Sequence, residues 1–123
     1  MKPTRRAADA DDARIRALLP LTPVFLQVLL ALADRNRHGL GIADQIEAAT
    51  DGHLRLGPGT LYGAIKRLLE LDLVEDTDRA PHDDRVDPRR RYYQLTPSGR
   101  RALSLEAAQL AQTLKLARAK GVM

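Results

Sequence analysis

The hydrophobic period of this 123-residue chain changes from helical to alternating just beyond Leu71, and that change limits the architectures open to it. Before it, apolar residues recur at helical intervals. After it, Leu73-Val74-Glu75-Asp76 and Arg91-Tyr92-Tyr93-Gln94-Leu95 read as two short strands, the second rich in residues that suit a pleated surface. Residues 78–88 between them are polar, contain Pro81 and Pro88 and have no apolar period, which predicts a hairpin loop. The length suits one domain with a real core and is too short for two.

Upstream, residues 7–19 set Ala8, Ile15, Leu18 and Leu19 among charges, an amphipathic helix closed by Pro20. Whether it packs on its own domain or on a partner is left open. Thr22-Pro23 is an N-cap followed by proline in the first helical position, and Val24, Phe25, Leu26, Val28, Leu29, Leu30 and Leu32 make the next helix apolar on nearly every side, the expected core helix. Residues 34–38 read as a polar turn closed by Gly39, with His38 a turn residue or cap partner of the following helix. Residues 41–49 predict a short helix burying Ile42, Ile46 and Ala49; Thr50-Asp51-Gly52 ends it and Leu54 and Leu56 alternate as a short extended piece.

A further helix opens at Pro58, and its repeat sorts two chemistries onto opposite faces. Leu61, Ile65, Leu68 and Leu69 form an apolar stripe to bury, whereas Gly59, Gly63, Lys66, Arg67 and Glu70 fall roughly opposite. That second face is small at its start and mostly basic further on, so it can enter a groove. The positive end of the helix dipole would point at whatever it docks on, for DNA a phosphate or a base edge. After the hairpin, Thr96-Pro97-Ser98-Gly99 repeats the Thr-Pro helix start. Leu103, Leu110, Leu114 and Ala117, with Ala107 and Ala111, then give a helix of about twenty residues whose apolar stripe is longer than a small domain covers, and dimerisation is its natural use.

The net charge of +4 is unevenly spread. Residues 75–87 hold Glu75, Asp76, Asp78, Asp83, Asp84 and Asp87 against only Arg79 and Arg85, so the remainder is more basic than the total suggests and suits a polyanionic partner. The acidic wing tip would be repelled by phosphate, which leaves the wing's base to approach DNA. With no cysteine, disulfides, thiolate metal sites and cysteine nucleophiles are excluded. His38, His53 and His82 are scattered, Ser98 and Ser104 lack a base in a recognisable pattern, and the glycines at 39, 41, 57 and 59 are not followed by a Gly-Lys-Ser/Thr signature. No enzyme, metal or cofactor is therefore expected. The apolar run after Pro23 is about half a membrane span, and the first sixteen residues lack a hydrophobic signal core, so the expectation is a soluble cytoplasmic protein.

Three helices followed by a two-stranded hairpin is the winged helix-turn-helix layout, in which the third helix reads the major groove and the hairpin lies beside the backbone. The expected fold is mainly α with a small two-stranded wing: an N-terminal extension and helix over 1–20, the winged domain over 21–95 and a C-terminal dimerisation helix over 96–123. Three segments carry a closer resemblance: His38-Gly39-Leu40-Gly41-Ile42, Gly57-Pro58-Gly59-Thr60-Leu61-Tyr62-Gly63-Ala64-Ile65, and Arg91-Tyr92-Tyr93-Gln94-Leu95-Thr96-Pro97-Ser98-Gly99-Arg100. In this order and spacing the chain resembles the PadR-like transcriptional regulators. It departs from them at Leu40, where tyrosine is usual, at Gly63, where proline is common, and at Asp72, where glycine is common; Gly63 loosens its helix by roughly 1 kcal/mol.

The resemblance implies a homodimeric DNA-binding repressor, with Thr60, Tyr62, Gly63 and Lys66 as groove or phosphate contacts and Tyr93 with the wing arginines as backbone contacts. It also admits a small-molecule inducer between the dimer helices. With aromatic residues only at Phe25, Tyr62, Tyr92 and Tyr93, no inducer is named. From the residues themselves, Lys66 and Arg67 are long cations able to grip guanine or neutralise phosphate. Thr60 has two roles open, phosphate contact or helix cap, and Tyr62 has two, half-buried core or contact. Arg89, Arg90 and Arg91 either flank DNA or pair with Asp83, Asp84 and Asp87 across the hairpin. The expected function is a sequence-specific regulator acting as a homodimer on a roughly palindromic operator; the alternative is a winged-helix protein-interaction module, to which the same basic face gives an acidic protein surface as partner.

Overall fold

A computed structural model describes residues 5–79 and 90–123 of the chain, with side chains from residue 11 onward. The elements run α1 (Arg5–Arg16), α2 (Pro23–Ala31), β1 (Arg37–His38), α3 (Gly39–Ala49), α4 (Pro58–Glu70), β2 (Val74–Thr77), β3 (Tyr92–Leu95) and α5 (Pro97–Ala119). The Thr-Pro starts work as the sequence predicts. Thr22 accepts the Phe25 N–H ahead of α2, and Thr96 accepts the Gly99 N–H at 2.9 Å ahead of α5. Thr96 also donates to the Asp72 carbonyl at 2.6 Å, so one threonine starts α5 and fastens the turn between α4 and β2.

One core joins every layer. Val28 and Leu29 of α2, Ile42 and Ile46 of α3, Leu61, Ile65 and Leu68 of α4, Leu73 and Val74 at the strand, and Ala102 and Leu103 of α5 all pack into it. Ala49, expected inside, is exposed: it lines an open depression with Gln27, Leu30 and Ala31 of α2 and is not closed over. At Gly99 a Cβ would overlap the Leu73 carbonyl, so α5 crosses the strand entrance at a distance only glycine permits. Asp72, in the position noted above as commonly glycine, takes φ of 60°, the left-handed region that glycine enters without cost and aspartate tolerates better than most.

The sheet is larger than the two-stranded wing expected, and the open placement of the N-terminal helix is decided. The sheet has three antiparallel strands in the order β1-β3-β2, with His38 opposite Tyr92 on one side of β3 and Thr77 opposite Tyr92 on the other. Arg37 and His38 lie in the stretch whose sequence predicts a polar turn; two residues carry no alternation, yet they pair with the edge β3 would otherwise leave bare. The N-terminal helix packs on its own domain. Ile15 is buried in the common core, Arg14 donates to the Leu71 carbonyl and the Ser98 hydroxyl, and Arg101 of α5 pairs with Asp12 at 2.9 Å. Just beyond α1, the Leu21 N–H donates to the buried Glu106 carboxylate at 2.6 Å.

Glu106 marks where α5 leaves the domain. From residue 107 onward α5 is open on nearly all sides, with Leu110, Leu114 and Leu116 exposed and Ala117 half-buried. Of the expected dimer residues Leu103 drops out, since it is 7% exposed and already packed within its own core. Leu103 belongs to the part of α5 that packs on its own domain.

Candidate nucleic-acid interface

Helix α4 separates its faces as its sequence period predicts. Leu61, Ala64, Ile65 and Leu68 are buried, while Pro58, Gly59, Thr60, Tyr62, Gly63, Lys66 and Arg67 are exposed. Gly57 is the N-cap and supplies no side chain; with Pro58 next, the helix start is set by backbone geometry and its first free N–H groups face solvent. Thr60 therefore does not cap the helix, and its hydroxyl makes no hydrogen bond among the described residues. Lys66 pairs with no described acid, whereas Arg67 reaches Glu70 of its own helix at 3.1 Å, an exposed pair that a phosphate can displace cheaply.

Tyr62 is half exposed, and its ring lies across Gly39 at the start of α3: a Cβ at Gly39 would come 2.6 Å from the Tyr62 hydroxyl oxygen. The Tyr62 ring is thus half-buried against a neighbouring helix, with its other face open, and both roles read for it from the sequence stay available. Gly63 differs from Gly39 in kind, since nothing lies within 4 Å of a Cβ placed there. Its use is to keep the exposed stripe low.

The base of the wing stands beside this helix. His38 caps α3, its Nδ1 accepting the Gly41 N–H at 3.1 Å, and its Nε2 lies 2.8 Å from Arg90 Nη1. The Tyr92 and His38 rings stand nearly perpendicular, with centroids 5.6 Å apart. Arg91 pairs with Asp76 of β2 at 3.1 Å, a partner on the paired strand that the sequence reading did not name. Arg89, with Asp83, Asp84 and Asp87, lies outside the described residues. Tyr93 is 4% exposed, yet its hydroxyl makes no hydrogen bond among the described residues and it lines a groove of ≈ 280 Å³ with His38, Gly39, Leu40, Tyr62, Arg90 and Arg91. Burial pushes the Tyr93 phenol above its ordinary value of 10.0, and the Arg91 cation pulls the other way.

A second groove, ≈ 390 Å³, continues past His38 and Arg90 to Arg35 and Arg37. Arg37 is committed to the fold, donating to the Ala31 carbonyl at the end of α2 at 2.7 Å. The run Arg35-Asn36-Arg37-His38 escaped functional reading because it looks like an ordinary polar turn; its one sequence signal is the density of cations just ahead of a helix start. Among the described residues no group of three or more histidine, aspartate or glutamate side chains is placed to hold a metal ion, and no helix is long and apolar enough to cross a membrane.

The model of the transcriptional regulator PadR-like family matches residues 28–105, which contain α3, α4, the sheet and the start of α5. The chain belongs to the PadR-like family. This is a family of transcriptional regulators rather than enzymes, in accord with the sequence reading. The PadR-like chain is 44% identical over 85 residues to a 37.1 kDa protein in transposon TN4556 of Streptomyces fradiae; the match takes in 69% of this chain but 22% of that protein, so the chain spans about a fifth of its relative's length. Its fold is similar to that of a PadR family transcription regulator from Clostridium difficile R20291, with a TM-score of 0.65 at 22% identity, covering 79% of this chain and 96% of that one. It is similar also to a transcriptional regulator from Clostridium thermocellum, with a TM-score of 0.63 at 24% identity over 85% and 90% of the two chains. RosR from H. salinarum gives a TM-score of 0.60 at 26% identity over 80% and 78%. The winged-helix PadR-like fold, mainly α with a small sheet, is thereby established.

Proposed function

We propose that this PadR-like chain is a sequence-specific DNA-binding repressor that acts as a homodimer on a roughly palindromic operator. The observation that carries the reading is the division of α4: a buried apolar face holds the helix on the core, and the opposite face offers Thr60, Tyr62, Gly63, Lys66 and Arg67 to solvent. A helix seated this way fits the major groove, with Arg67 able to grip a guanine edge and Lys66 a phosphate. Arg90 and Arg91, at the wing base on the same side, suit the flanking backbone, as does the Tyr93 hydroxyl, a donor that is not spent on any described residue.

The exposed half of α5 supports the dimer. Leu110, Leu114 and Leu116 leave the domain together, and a second copy of the chain would cover them. On this reading α1 to β3 and the start of α5 form one DNA-binding body and the rest of α5 joins two such bodies, with repression by occlusion of the promoter. A small-molecule inducer between the α5 helices belongs to the same proposal as a site for regulation, without a named ligand.

Fluorescence anisotropy of the full chain against DNA from upstream of its own coding sequence and against scrambled duplex, at several salt concentrations, tests the proposal. A preference of roughly a thousandfold or more for the upstream duplex, with log affinity falling steeply against log salt, is the expected result. Equal weak binding to both, with no preferred duplex recovered from a random pool, would instead favour a module whose basic face meets protein.

A further inference from the structure

Exposed large apolar side chains are few on the described surface away from the overhanging end of α5: Leu30 on α2, Leu40 at the start of α3 and Tyr62 on α4. Two of the three line the same groove, with Gly39 and the Tyr93 ring on its floor and His38, Arg90 and Arg91 around it. Leu40 is 56% exposed although it occupies the first turn of a helix whose buried positions, Ile42 and Ile46, are filled by other side chains. It serves no core. It therefore leaves apolar surface in water at the centre of a face whose rim attracts anions.

The neighbouring ring is fixed. Tyr62 cannot settle closer to α3, because it already fills the space of the missing Gly39 side chain. Leu40 follows Gly39 directly, so the leucine and the ring stand together beside the first exposed turns of α4. We infer that Leu40, with the ring of Tyr62 beside it, reads thymine through its 5-methyl group at the edge of each half-site. The inference rests on the proposed docking of α4 in the major groove. There the thymine methyl is the one apolar group a base presents, and the degenerate pattern of the minor groove offers none. Arg90 and Arg91 hold the phosphates that bring it within reach, which makes the surroundings complementary in charge and Leu40 complementary in polarity.

The test uses duplexes enriched from a random pool by the full-length chain. Each thymine of a half-site is replaced in turn by deoxyuridine, which removes the methyl and keeps every hydrogen-bonding group. For the wild-type chain one position per half-site is expected to weaken binding about fourfold, the worth of one buried methyl-sized group. Leu40→Ala, at an exposed position that leaves folding intact, is expected to lose most of that difference, the alanine methyl and the Tyr62 ring keeping a remnant, while its salt dependence stays that of the wild type. If no thymine responds, or if Leu40→Ala distinguishes the two bases as strongly as the wild type, the inference is overturned while DNA recognition stands. If the pool enriches no sequence, the DNA reading and this inference fall together.

Discussion

Two glycines on helices, Gly63 and Gly99, should answer the same substitution with opposite sign. At Gly63 the added methyl meets nothing within 4 Å, so alanine gains only the helix propensity that glycine lacks, about 1 kcal/mol. At Gly99 the methyl would overlap the Leu73 carbonyl oxygen, the same oxygen that accepts the Thr96 N–H at 3.2 Å. Accommodation must move α5 away from the strand entrance, an overpacking strain of about 1–3 kcal/mol, and it loosens a hydrogen bond worth about 1 kcal/mol. Set against the propensity gain, the net loss is about 2 kcal/mol. A chain of this length shifts its midpoint by about 4 °C per kcal/mol, so Gly63→Ala should melt about 4 °C higher and Gly99→Ala about 8 °C lower. Circular dichroism melts at one fixed protein concentration give the comparison, because dimerisation makes the midpoint depend on concentration. A Gly99→Ala protein melting within about 2 °C of wild type would refute the close crossing of α5 over Leu73.

The double substitution of Lys66 and Arg67 by alanine should remove the preference for specific DNA while sedimentation still reports the wild-type assembly, since both side chains lie on the exposed face of α4; retained specificity would remove that face from the interface. Deleting residues 109–123 should yield a monomer that binds DNA weakly, and a truncated chain that still sediments as a dimer would assign the dimer contact elsewhere. The hydrogen bond from Arg101 holds the Asp12 carboxyl below its ordinary value of 3.8, with the Arg101 and Arg16 charges adding to it. Because the folded value lies below the unfolded one, the pair contributes in full above roughly pH 4 and is lost as pH falls further. Arg101→Ala should therefore melt with a smaller acid-induced loss than wild type below pH 4, measured at matched ionic strength.

What could be read before the fold was seen follows from which signals are local. Thr22-Pro23, Pro58 and Thr96-Pro97 announce helix starts through chemistry carried by adjacent residues, and all three open helices where expected. The buried stripe of α4 was legible for the same reason. Strand β1 was not, because two residues hold no period and their pairing with Tyr92 and Tyr93 is fixed more than fifty positions away. The placement of Leu103 failed in another way: a stripe along α5 shows which residues share a face, and the point at which that face leaves its own core depends on where α2 and Glu106 stand. Arg91 illustrates the limit for charge, since three nearby acids looked like partners and the one it meets, Asp76, is set by strand pairing. Leu40 and Tyr62 became neighbours of interest only when Gly39 brought α3 and α4 together.

The two-residue strand has a mechanical consequence. A hairpin paired only with itself swings about its root and can adjust to whatever lies below it, but β3 is held along both edges, and β1 runs without a break into α3. The distance from the wing base to α4 is thus part of the frame before any duplex arrives. A rigid caliper of this kind gains affinity by losing little freedom on contact, and it transfers the burden of adjustment to the DNA. Sequences whose grooves already match the set span, or bend to it easily, would be favoured even at base pairs that no side chain touches.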